Sequence, residues 1–76
     1  MSHVWASHAE PPSPERPVGP ESTGKRFYIA YDTVHGYYVA DQVNPIFRAQ
    51  AHPNTWLKTR ALASDYNWGY EHGHII

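Results

Sequence analysis

One stretch constrains this chain more than any other. Arg26 to Asp41 reads Arg-Phe-Tyr-Ile-Ala-Tyr-Asp-Thr-Val-His-Gly-Tyr-Tyr-Val-Ala-Asp. It holds two dense runs of β-branched and aromatic residues with a turn signal between them, the pattern of a β-hairpin. Side chains alternate along a strand, so Phe27, Ile29, Tyr31, Tyr37 and Val39 share one apolar face. Tyr28, Ala30, Tyr38 and Ala40 line the other. A loop of Val34, His35 and Gly36 would pair Thr33 with Tyr37 and Tyr31 with Val39, with Gly36 supplying a positive φ. A slip of one residue would mix the two faces and is disfavoured.

A two-stranded hairpin is marginal alone in water, so the rest of the chain must cover the apolar face. Asp41 to Pro45 reads as a turn, because Asn44-Pro45 starts turns and disfavours helix. Ile46 to Ala51 then alternates, with Phe47, Ala49 and Ala51 on one side and Ile46, Arg48 and Gln50 on the other. This is read as a third strand, with a short helix as the competitor. His52-Pro53-Asn54 stops it, and Asn54 is placed to cap a helix from Thr55 to about Tyr66. At about 100° per residue, Trp56, Thr59, Leu62, Ala63 and Tyr66 fall within an arc of about 120° and form its buried stripe. Asn67 or Gly69 is expected to end it. The tail from Trp68 to Ile76 is expected to add a last short strand.

Residues 1–25 have a different composition. Five of the seven prolines lie between Pro11 and Pro20, and few residues there can be buried. Pro11, Pro14, Pro17 and Pro20 recur every third residue, which lines one edge of a polyproline II helix. Pro11 to Arg16 also fits the proline-plus-basic pattern of SH3-type ligands, although a stiff spacer is the commoner meaning. Trp5, flanked by Val4 and Ala6, is the one Trp, Tyr or Phe of this arm. It either folds back on the domain or anchors a partner.

The fold class that follows is α+β. A small antiparallel sheet, hairpin plus third strand, carries one C-terminal helix on one face. The chain divides into a disordered proline-rich arm over residues 1–25 and a small domain over residues 26–76. A core of this size supplies only about 3–5 kcal/mol, so a modest monomer or a weak homo-oligomer is expected.

With 76 residues, a net charge of −1 and no cysteine, the chain lacks general attraction to nucleic acid or anionic lipid, and it lacks thiolate metal sites. No run reaches the length of a membrane span and no basic-then-apolar leader is visible, so a cytoplasmic location is the default expectation. Six histidines raise the question of metal, and His72 and His74 would share one strand face. Zinc needs three or four ligands in a tight shell, so no metal site and no cofactor are expected. No serine sits in a Gly-x-Ser-x-Gly setting and no glycine-rich phosphate loop is present, so no enzyme is expected.

Two binding functions remain. The first is a protein-binding module: an adaptor, an inhibitor, or a phage or mobile-element accessory protein. Its site would be the Tyr28 and Tyr38 face with Arg26, Arg48 and the arm carrying Trp5. An open sheet edge would offer a second mode. The second function is nucleic-acid binding, with the tyrosines stacking bases and Arg26, Arg48 and Lys25 contacting phosphates. The small positive excess of residues 25–60 argues against it. A third role, a small subunit of a larger assembly, fits the same features.

Overall fold

The computed structural model describes residues 16–74. Its elements are a 3-10 turn at Pro20–Ser22, strands β1 (Phe27–Asp32), β2 (Gly36–Asp41) and β3 (Arg48–Ala49), and helix α1 (Trp56–Glu71). The sheet is antiparallel in the order β1-β2-β3, and α1 covers one face. This is the α+β arrangement expected from the hairpin and the helix.

The two faces of the hairpin separate as the alternation requires. Phe27, Ile29, Tyr37 and Val39 are buried beneath α1 together with Ala63. Phe47, lying just before β3, closes one end through edge-on contacts with Phe27 and Tyr66, at ring centroid distances of 5.3 and 5.1 Å. The register differs from the expected one by two residues: Tyr31 pairs with Tyr37, and Ile29 pairs with Val39. Asp32 sets this register. Its Oδ1 accepts from the Val34 N–H at 2.7 Å and folds the turn one step earlier, with Gly36 at φ 82° pairing opposite it. A shift of two leaves both faces unchanged, so the core is the same.

The third strand is shorter than expected, two residues paired through Val39–Ala49 and Ala40–Arg48. Its sides are as the alternation predicts: Phe47, Ala49 and Ala51 turn inward, and Ile46, Arg48 and Gln50 are exposed.

Helix α1 starts one residue later than expected and is capped by Thr55, whose Oγ1 accepts from the Lys58 N–H. Asn54 instead donates from Nδ2 to the His35 carbonyl at 2.8 Å and ties the helix entry to the hairpin loop. The buried stripe contains Thr59 and Ala63, with Trp56, Leu62 and Tyr66 half-buried at its margins. The helix does not end at Asn67 or Gly69. It continues to Glu71, so the expected last strand is absent among the described residues. The reason is Asn67, which is buried and bonded to β1. It anchors the helix rather than ending it.

Residues 16–25, grouped by composition with the proline-rich arm, pack along the outer edge of β1. Gly19 N–H donates to the Ile29 carbonyl at 2.7 Å, and Ile29 N–H donates to Ser22 Oγ at 2.9 Å. Trp56 Nε1 donates to the Pro17 carbonyl at 3.1 Å. The β1 edge, expected to be open to a partner strand, therefore has its Phe27 and Ile29 groups already paired. Residues 1–15, including Trp5 and Pro11 to Pro14, lie outside the described residues, as do Ile75 and Ile76.

Candidate functional site: the outer sheet face

Because α1 lies on one face, the opposite face of the hairpin has no covering layer among the described residues. Tyr28, Ala30 and Tyr38 are half-buried there, and Ala40 is buried. The loop before β3 builds a wall beside them. Tyr28, Tyr38, Ala40, Gln42, Ile46 and Arg48 are among the residues lining a groove of about 450 Å³. Ile46, 87% exposed, stands at this wall, and Val43, 67% exposed, is a second branched apolar side chain on the same loop. Sequence reasoning placed Ile46 on the side of Arg48 but did not single out either residue. The signal available was the turn at Asn44-Pro45, which leaves its flanking side chains without a partner layer.

Arg48 is fixed at the groove rather than free. Its guanidinium carbon lies 3.7 Å from the centroid of the Tyr38 ring, and its Nη2 is 3.1 Å from Asp32 Oδ2. His35 Nδ1 lies 3.3 Å from the same oxygen. The Val34 N–H, the His35 ring and Arg48 together hold the Asp32 carboxyl down to about 2. Asp32 is thus a carboxylate that holds Arg48 over the Tyr38 ring.

Arg26, expected beside the tyrosines, has a different role. Its Nε and Nη2 donate to the two carboxylate oxygens of Asp41 at 2.8 Å each, a bidentate pair. The Asp41 side chain is 2% exposed and that of Arg26 13%. Arg26 holds the Asp41 carboxyl below the usual range, helped by the Val43 N–H, and the pairing raises the already high pKa of Arg26. The guanidinium also lies 5.1 Å from the Phe27 ring centroid and 4.7 Å from that of Tyr70, between sheet and helix end. Of the residues expected at the site, the structure brings together Tyr28, Tyr38 and Arg48. It ties Arg26 into the ion pair, and Trp5 lies outside the described residues.

His72 and His74 do not share a strand face. His72 caps α1 and stacks on Trp68 at 3.9 Å between ring centroids, and the ring of His74 lies 5.6 Å away. Among the described residues, no group of three or more His, Asp or Glu side chains is placed to hold a metal ion. No helix among them is long and apolar enough to cross a membrane.

Comparison with known proteins adds no relative: no family model, no curated protein and no solved structure matches this chain.

Proposed function

We propose that this protein is a small protein-binding module, an adaptor or inhibitor without catalysis of its own, whose contact surface is the outer sheet face. The observation that carries the reading is the combination of half-buried Tyr28 and Tyr38 with exposed Ile46 around one groove, on the side that α1 does not cover, with exposed Val43 on the same loop. Tyrosine offers large area at low entropic cost with a hydroxyl for orientation, and the branched side chains offer area that gains by leaving water. Arg48, already ordered by Asp32 and Tyr38, adds a pre-organised donor at the rim. The proline-rich arm extends the reach of the module, and the cytoplasm is its proposed location.

Nucleic-acid binding is the weaker reading on physical grounds. Phosphate contacts dominate that affinity, yet Arg26 is held by Asp41 and Arg48 by Asp32. A place as a small subunit of a larger assembly would use the same face.

The test is the double variant Tyr28→Ala with Tyr38→Ala, compared with the native protein for fold by circular dichroism and for partners by capture from cells of its source. The expected result is a folded variant that loses specific partners. A variant that unfolds, or one that retains every partner, overturns the proposal. Binding to a DNA or RNA oligonucleotide that falls steeply with salt would establish the nucleic-acid reading instead.

A further inference from the structure

We infer that the outer face of α1 is a self-association surface whose occupant is the same face of a second copy of this chain, running antiparallel. This face is separate from the sheet groove, and the inference does not depend on what the groove binds.

The helix buries Thr59, Ala63 and Asn67 toward the sheet. Its opposite side carries Leu57, Ala61, Ser64 and Trp68, all exposed. These residues follow one another in alternating steps of four and three, the spacing of a coiled-coil seam. At 3.6 residues per turn they occupy an arc of about 60°, pointing away from the core. The exposure is large where the side chains are large: 70% for Leu57 and 56% for Trp68. On one side Ser64 and Trp68 also line a groove with Ser22, Thr23 and Lys25, and the Trp68 ring stacks on His72, but among the described residues no element packs over the stripe itself.

Its shape and charge fit a two-fold partner. The large residues lie at the two ends and the small ones, Ala61 and Ser64, lie in the middle. In an antiparallel pair centred between Leu62 and Ala63, Leu57 of one copy meets Trp68 of the other, and Ala61 meets Ser64. The small central pair permits close helix approach, near the 8 Å end of the usual range. Trp68 is already stacked against His72, so little freedom is lost when it is covered. Lys58 and Asp65 lie on the same flank of the stripe, and same-flank positions face each other across an antiparallel two-fold axis. Their heights along the axis then agree to within two residues, about 3 Å. Neither makes an ion pair among the described residues. The symmetry forms the Lys58–Asp65 contact twice, as an isologous interface requires. A parallel pair would instead set Trp68 against Trp68 and put the two Lys58 flanks on opposite sides of the interface, so the Lys58–Asp65 contact could not form.

One helix seam buries less than the roughly 800 Å² per partner of a standard interface, so the dimer is weak and forms at high concentration. Sedimentation equilibrium of the full chain from about 10 µM to about 1 mM tests it. The expected result is a mass that rises from 8.7 kDa toward twice that value with concentration. Leu57→Glu and Trp68→Ala should each hold the chain monomeric over that range. Lys58→Glu and Asp65→Lys should each weaken association about fivefold or more, while the two together restore it to within about twofold. All four positions are exposed, and circular dichroism checks that the helix is kept. A native chain that stays monomeric at the highest concentration overturns the inference. So does a charge-swapped double variant no better than either single one.

Discussion

The carboxamide of Asn67 bonds to both backbone groups of Phe27. Its Oδ1 accepts from the Phe27 N–H and its Nδ2 donates to the Phe27 carbonyl, each at 2.9 Å. A helix side chain thereby takes the place of a neighbouring strand at the edge of β1. The Phe27 carbonyl has a second donor, Thr23 Oγ1 at 2.7 Å, whereas no other acceptor for its N–H is seen among the described residues. Removal of Asn67 therefore exposes one particular weakness, a buried N–H without a partner.

Asn67→Ala should destabilise the fold by about 1–3 kcal/mol, the cost of one orphaned buried donor. Asn67→Asp retains an acceptor for the N–H but sets its second oxygen against the Phe27 carbonyl, so it should be at least as damaging at neutral pH. The carboxyl is favoured there in its protonated form, which raises its folded pKa above the unfolded value. The Asp variant should thus recover stability as pH falls and lose it as pH rises through that folded pKa. Urea unfolding of both variants at neutral and mildly acidic pH checks this. An Asp variant without that recovery would show that the carboxamide donor is unimportant.

Gly36 is expected to tolerate no side chain. Its φ of 82° lies in the left-handed region, and an added Cβ would meet Asn54 Nδ2 at 3.0 Å. Asn54 is bonded to the His35 carbonyl, so it cannot move aside without releasing the helix entry. Gly24 provides the comparison, because it has a φ of 69° and nothing within 4 Å of an added Cβ. Gly24→Ala should cost about 1 kcal/mol from backbone conformation alone, and Gly36→Ala clearly more. Thermal melting of the two variants separates conformation from crowding, and equal costs would mean that the Asn54 contact is soft.

These two sites mark where the sequence was legible and where it was not. A period of two places Phe27, Ile29, Tyr37 and Val39 together whatever the register, so the core could be read without knowing the turn. The register could not, because a shift of two leaves the faces unchanged and the choice rests on one bond from Val34 to Asp32. Asn67 resembles a helix stop by residue type, and only its burial against Phe27 shows that the helix runs through it. Residues 16–25 were grouped with the proline-rich arm because composition reports on side chains, whereas Gly19 pairs with β1 through the backbone and Ser22 through one hydroxyl. The Tyr28, Tyr38 and Arg48 cluster followed from alternation across strands. The Arg26–Asp41 pair did not, since it depends on how the chain leaves the sheet at both ends.

Two carboxylates should govern acid unfolding. Asp32 and Asp41 both have folded pKa values below the ordinary 3.8, Asp32 at about 2. For a depressed carboxyl the unfolded chain binds more protons, so the stabilisation is present above the unfolded value and is lost as pH falls through the folded one. Stability should therefore be steady down to about pH 4 and decline toward about pH 2. Asp41→Asn should lower stability at neutral pH, because the bidentate partner of Arg26 loses its charge, and should flatten the decline below pH 4. Circular dichroism melts across that range decide the matter. An unchanged acid slope in the variant would assign the decline to Asp32 or to other groups.

Arg48→Ala separates the stability of the sheet from the chemistry of its outer face. The Arg48 side chain is 40% exposed and lies over the Tyr38 ring, with one contact to Asp32, which keeps the Val34 N–H and His35 as partners when Arg48 is gone. An exposed pair of this kind adds little to folding. The melting temperature should fall by no more than about 5 °C, since a loss of about 0.5–1 kcal/mol moves a domain of this size by only a few degrees. The outer face should respond far more, because the variant frees the Tyr38 ring and removes the cation at the groove rim. If the groove binds a partner through pre-organised Arg48, affinity should fall about tenfold or more with the fold intact. Isothermal titration with a partner lost by the Tyr28→Ala, Tyr38→Ala variant reads that change. Unchanged affinity would restrict the binding surface to the tyrosines and Ile46.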